Sequence, residues 1–104
     1  MRSGLPKRIY KDPYGSEEVE CLVEDYEELN GVRSKAWVQV RLMDLDLAYA
    51  SLPPAEKEAV LLVGFMGLSV RTAGDLVGID HPSVMWYRYQ RGLDYLSRYM
   101  NGVK

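Results

Sequence analysis

Cysteine and histidine each occur once in this chain, as Cys21 and His81, and that scarcity removes whole classes of chemistry. A single cysteine can close no internal disulfide, and a lone histidine has no partner with which to build a zinc site, a usage that fits a reducing cytosol. Cys21 is expected to pack as a small hydrophobe, and His81 to serve in a turn or cap beside Pro82. No Ser/His/Asp set, phosphate-binding glycine loop or paired-carboxylate motif can be read, so neither an enzyme nor a cofactor is expected. The longest apolar run, Ala59 to Leu68, is about half of what a membrane span requires. Arg2, Lys7 and Arg8 lack the apolar stretch behind them that would make a secretory signal. These absences point to a soluble, cytoplasmic protein with no membrane partner. The 104 residues leave room for one ordinary domain, and 47% apolar content suffices for one modest core.

Basic charge is scarce as well. The formal net charge of −2 argues by itself against a generic nucleic-acid binder, because such domains usually carry a net basic surface. Its distribution changes that picture. Residues 1–51 hold seven Lys or Arg against ten Asp or Glu, whereas residues 52–104 hold six against five. From His81 onward, Arg88, Arg91, Arg98 and Lys104 face only Asp94, so positive charge gathers at the C-terminal end.

Residues 1–15 contain two Pro, two Gly and no periodic apolar pattern, and read as a flexible basic arm. Lys7, Arg8 and Lys11 could reach a phosphate backbone or a minor groove; a solvated tail is the plainer account. Residues 16–51 then read as an acidic N-terminal helical region. Ser16 stands before Glu17 and Glu18 as an N-cap, with acids in the first turn where the helix dipole favours them. Val19, Leu22, Val23, Tyr26 and Leu29 follow at helical spacing, and Asn30-Gly31 supplies the stop. Eight acids and no base lie between Asp12 and Glu28. They form either a solvated polar face or a surface that imitates DNA and folds over the basic end of the chain. Residues 34–51 are ambiguous, because Val38, Val40 and Leu42 alternate like a strand while Val38, Leu42, Leu45, Tyr49 and Leu52 fit a helix. Length favours the helix, and Asp44 or Asp46 could instead cap a shorter one.

The pattern sharpens at Leu52. Pro53-Pro54 ends one element and presets the backbone for the first turn of the next, where the missing donor is not needed. Ala59, Val60, Leu62 and Val63 form the buried side of that helix. Gly67 lets the chain leave in a left-handed conformation, Leu68 returns to the core, and Ser69 caps a brief helix with Ala73, Leu76 and Val77 at the inward spacing. Gly78 ends it, Ile79 turns inward, and Asp80 or His81 begins a last helix with Pro82 in its first turn. Two short helices joined by a tight glycine turn and followed by a longer one make a helix-turn-helix, so the expected fold is all-α.

Leu52-Pro53-Pro54, the apolar helix, Gly67-Leu68-Ser69 and Leu76-Val77-Gly78-Ile79 resemble region four of bacterial sigma factors, the module that recognises the -35 promoter element. The resemblance spans residues 52–96, and Arg91-Gly92-Leu93 with Leu96 is similar to the Arg-Ala-Leu and following Leu of that family's recognition helix. Small phage-encoded DNA-binding regulators, especially those of actinobacterial phages, share this sigma-like pattern, which implies a bacterial host cell. No region two can be read, so the resemblance implies no promoter melting. Gly74 stands where the family has a small alanine, at about 1 kcal/mol of helix propensity. One extra residue also separates Ile79 from Arg91, and it decides which side of the last helix faces inward. Turning Val84 inward would also bury Arg88 and Arg91 without partners. Turning Met85 inward aligns Met85, Tyr89, Gly92, Leu93, Leu96 and Met100 in one stripe, with Trp86 at its margin. The latter is the expectation, with the extra residue placed in the turn.

Ser83, Val84, Tyr87, Arg88, Arg91, Tyr95 and Arg98 then face solvent. In a major groove, arginines near the start of the helix can pair with guanine and Val84 can touch a thymine methyl. Arg98 farther along and Arg71 on the preceding helix would meet phosphate, and His81 stands at the helix start. For Tyr87 and Tyr95, packing against the N-terminal helices is the plainer account. The expected function is sequence-specific binding of double-stranded DNA by a transcription regulator that presents residues 81–98. The alternatives are a module that binds RNA polymerase or a regulator through its sigma-like surface, and a phage DNA-packaging or recombination accessory protein. A lone helix-turn-helix has a small footprint, and a homodimer formed through residues 16–50 would enlarge it.

Overall fold

The apolar stripes organise a set of helices and no strand among the described residues of a computed structural model, which describes residues 15–102. The basic arm expected over 1–15 lies, except for Gly15, outside the described residues. The order is α1 (Ser16–Glu24), α2 (Tyr26–Asn30), α3 (Ala36–Ala50), α4 (Pro54–Ala59) running on into a π-helical segment (Val60–Phe65), α5 (Val70–Val77) and α6 (Pro82–Met100). The expected all-α architecture is therefore present, and no helix among the described residues is long and apolar enough to cross a membrane.

The N-terminal half differs from its expected form in two details. The residue that caps α1 is Gly15, not Ser16: its N–H donates to the Glu18 carboxylate at 3.1 Å, and Ser16 is already helical. The amphipathic helix expected to run on to Asn30 breaks at Asp25, whose φ of −98° and ψ of 11° leave the helical region. The i→i−4 bonds Asp25 N–H to Cys21 and Leu29 N–H to Asp25 flank the break, so the stripe keeps its phase. Val19, Leu22, Val23 and Leu29 are all buried, as is Cys21, whose thiol donates to Asp25 at 3.2 Å. The ambiguous stretch is one helix, α3, with Val38, Leu42, Leu45 and Ala48 in the core. Asp46 caps nothing there. It accepts from Arg33 at 2.7 Å and from the Tyr26 hydroxyl at 2.9 Å, tying the turn after α2 to α3. Phe65 adds a second tie, meeting the rings of Tyr26 and Tyr49 edge-on at 5.2 and 5.3 Å.

α6 lies at the centre, packed by α1, α3, α4, the π-helical segment and α5. Two glycines set how closely these neighbours approach. A Cβ on Gly92 would stand 2.5 Å from Val60 Cγ2 and 3.3 Å from the Glu56 carbonyl oxygen, so only glycine fits where α6 crosses α4. Gly64, within the π-helical segment, is covered by the Val23 side chain from α1 and the Tyr89 ring from α6. The segment's last wide turn is closed by Met66 N–H donating to Leu61, and Leu68 N–H donates to Leu62 across the left-handed Gly67 that follows it. Tyr89 is 4% exposed at this junction. Burial, with the negative charges of Glu20 and Glu24, pushes its phenol well above the ordinary range, so it stays neutral.

Gly92→Ala tests the crossing. Alanine is the better helix former by about 1 kcal/mol, yet urea denaturation is expected to show a net loss of roughly 1–3 kcal/mol from overpacking against Val60 and Glu56. A gain in stability would contradict the close crossing.

Candidate nucleic-acid interface

The turn that joins α5 to α6 is assembled from local signals. Ser69 Oγ accepts from the Thr72 N–H at 3.1 Å and caps α5, whose eight residues turn Ala73 and Gly74 inward. Gly78 takes φ = 78°, the left-handed conformation that other residues enter only at a cost. Its N–H donates to Asp75 and that of Ile79 to Gly74, the paired bonds of a Schellman ending. One expectation fails here. Leu76, read as inward, is 64% exposed. The inward stripe of α5 is Val70, Ala73, Gly74 and Val77, and Leu76 falls to its side. Residues 78–81 make the turn, His81 occupies the N-cap position of α6 with no side-chain capping bond, and Pro82 is the first helical residue.

α6 is rotated as its stripe requires. Met85, Tyr89, Gly92, Leu93 and Leu96 are buried and Met100 is partly so, which turns the sequence-predicted contact residues outward. Ser83, Val84, Tyr87, Arg91 and Arg98 are exposed and Arg88 half-exposed, at successive turns of one helix face. Arg71 is exposed near the start of α5, and His81 is exposed at the start of α6. Tyr95, placed on the solvent face with packing against the N-terminal helices as the plainer account, is half-buried, and its hydroxyl donates to the Ser51 carbonyl oxygen at 3.1 Å. That bond joins the end of α3 to the middle of α6. Trp86, at the margin of the stripe, is 52% exposed.

The arrangement makes a shallow groove between α4 and α6, lined by Ala55, Glu56, Ser83, Val84, Tyr87, Arg88 and Arg91. Glu56 and Arg91 pair across it at 3.7 Å, and the Arg91 guanidinium lies 5.8 Å from the Tyr87 ring centre. Arg98 pairs with Asp94 at 3.5 Å on the open surface. The Arg98–Asp94 pair, exposed on both sides, contributes little and can be exchanged for another anion at small cost, whereas the Glu56 side chain is only 16% exposed, so releasing Arg91 leaves a largely buried carboxylate without that pair. Neither Arg71 nor Arg88 makes an ion pair with a described residue. No acid of α1 or α2 lines this groove. α1 meets α6 through its apolar side, with Glu17, Glu24, Glu27 and Glu28 exposed. Chemically, the groove offers two guanidinium groups, an aromatic ring and a branched aliphatic side chain on one rigid helix, a set suited to base edges and phosphates.

Two residues of this surface had escaped the sequence reading. Gln90 lies beside Arg91, Asp94, Tyr95 and Arg98 along a second shallow groove, and helical spacing alone would have found it. Glu56 arrives from another helix through the crossing at Gly92, so nothing near it in sequence announces its place. Among the described residues no group of three or more His, Cys, Asp or Glu is placed to hold a metal ion. Comparison with protein families, with curated proteins and with solved structures finds no match for the chain.

The turn can be tested through its own signals. Ser69→Ala is expected to cost about 1 kcal/mol of stability, and Gly78→Ala about 1–2 kcal/mol for forcing a Cβ into the left-handed region. Chemical denaturation measures both, and two neutral outcomes would contradict the turn described.

Proposed function

We propose that the chain is a sequence-specific DNA-binding regulator of transcription whose α6, from His81 to Arg98, enters the major groove. The observation that carries this reading is the exposed stripe of Val84, Tyr87, Arg88 and Arg91, which begins at the start of the second helix of a helix-turn-helix. The N-terminal residues of that helix are the ones that meet base edges in this motif. Arg88 and Arg91 then read bases, while Arg71 on α5 and Arg98 in the last turns of α6 hold the phosphate backbone and set the register. The likeness of residues 52–96 to sigma region four favours the same role, in a bacterial cytoplasm. The Arg91–Glu56 pair adds a restraint: Glu56 must release Arg91 before it reaches DNA, and its charge repels the backbone.

A second reading keeps the sigma-like surface and exchanges the partner. Trp86 and Tyr87, 52 and 59% exposed, are residue types favoured in protein interfaces. With the acidic first half of the chain, they suit RNA polymerase or a regulatory protein.

Binding of the purified chain to duplex DNA, titrated at several salt concentrations, separates the two. Affinity is expected to fall steeply with salt. Arg88→Ala and Arg91→Ala should each cost roughly 1–3 kcal/mol, Arg71→Ala and Arg98→Ala should lower the salt slope by about 1, and Glu56→Gln should tighten binding. Absence of salt-sensitive binding, with polymerase co-purification undiminished when Arg88 and Arg91 are removed, would select the second reading.

A further inference from the structure

Three aromatic rings from three separate elements meet around one recess. Tyr26 opens α2, Tyr49 stands in the last turn of α3 and Phe65 ends the π-helical segment. With Asp46 they line a cavity of about 250 Å³. All three rings are half-buried. Phe65 meets the two tyrosines nearly at right angles, at 80 and 87°, so neither contact is a stack and ring faces remain for a guest to lie against. π-Helical turns are rare and concentrate at functional sites, and this one delivers the third wall. None of the lining residues belongs to the groove between α4 and α6.

We infer that the recess binds a small free molecule made of an aromatic ring system and an anionic group. This inference goes beyond the proposed function and does not rest on it. Size sets the ring system. A cavity of roughly 150 Å³ holds one benzene ring, so 250 Å³ admits a fused pair of rings, while larger ligands need roughly 300–1,000 Å³. Charge sets the rest. Asp46 puts a carboxylate in the wall, but Arg33 pairs with it at 2.7 Å and the Tyr26 hydroxyl donates to it at 2.9 Å. That acid is offset within the chain and creates no demand for a cation. Lys57 is in the opposite state. Its ammonium lies 5.3 Å from the centre of the Tyr49 ring, and it makes no ion pair with a described residue. A guest ring stacked on Tyr49 at about 3.5 Å stands within about 9 Å of that ammonium whichever face it takes, near one Debye length at physiological salt. The flexible four-carbon stem of lysine lets the charge close on it further. A cationic guest would be repelled by Lys57 and would find Asp46 occupied, whereas an anionic guest supplies the charge that Lys57 lacks.

The site is weak by construction. At the ligand efficiency ordinary for small organic molecules, one fused ring pair with a carboxylate binds with a Kd of about 1 mM.

Indole-3-acetate, indole and tryptamine share one ring system and carry negative, no and positive charge. Each is titrated into the isotope-labelled full chain at neutral pH, and amide shifts are followed by NMR. Saturable shifts are expected to gather at Tyr26, Asp46, Tyr49, Lys57 and Phe65. Indole-3-acetate should bind tighter than indole by about two- to fivefold, the fold-change of one exposed ion pair, and tryptamine should bind weakest. Lys57→Gln, at a half-exposed position that leaves the fold intact, should remove the gap between indole-3-acetate and indole without weakening indole. Lys57→Glu should place tryptamine first. No saturable shift with any of the three probes, or shifts gathered elsewhere, would overturn the inference. So would an order of affinities that Lys57→Gln leaves unchanged, and so would tightest binding of tryptamine to the unaltered chain, which would make the recess a cation cage. None of these readouts involves DNA, so failure here leaves the proposed function standing.

Discussion

The approach of α6 to the helix that begins at Pro54 is the constraint on which the other features depend. Where Gly92 faces Val60 and the Glu56 backbone there is no space for even one methyl group. At Gly64 the side chains of Val23 and Tyr89 close over the glycine from two sides. A helix advances about 100° per residue, so fixing Gly92 and Tyr89 against these neighbours fixes the direction of every other side chain on α6. Met85 and Leu96 must then fill the core, and Val84, Tyr87, Arg88 and Arg91 must leave it. The turn at 78–81 lies ahead of the helix and so does not disturb this setting.

The same crossing gives the outer face its electrostatic character. It brings Glu56 up beside Arg91, which keeps one guanidinium half-satisfied in the free protein while Arg88 remains without an ion pair among the described residues. A net charge of −2 spread over the chain is thus compatible with a locally basic helix face, because no acid of α1 or α2 lines the groove beside it. What matters for steering a polyanion is the field near the groove rather than the overall sum.

Features that depend on a few neighbouring residues were legible in the sequence. The cap at Ser69, the left-handed Gly67 and Gly78, the proline at the start of α6 and the inward stripes of α3 and α6 all follow from local chemistry or helical period. Features that need two distant segments were not. The π-helical turn lies under the meeting of α1 and α6 at Gly64, and no pattern within Val60–Phe65 distinguishes it from an ordinary helix. The bond from Tyr95 to Ser51 and the arrival of Glu56 beside Arg91 are equally non-local. The strand-like alternation of Val38, Val40 and Leu42 also has a physical origin. α3 is apolar on both sides, so residues two apart are both apolar although one faces the core and the other faces out. Leu76 was misread because α5 has only two turns, too few for a stripe to define its own centre.

Selection of bound duplexes from a random DNA pool at moderate salt, with the chain and its Arg88→Ala variant in parallel, tests the central claim most directly. A recognition helix set by the Gly92 crossing predicts a defined motif for the chain, and the same motif with one position relaxed for the variant. Enrichment of no motif by either protein would contradict it.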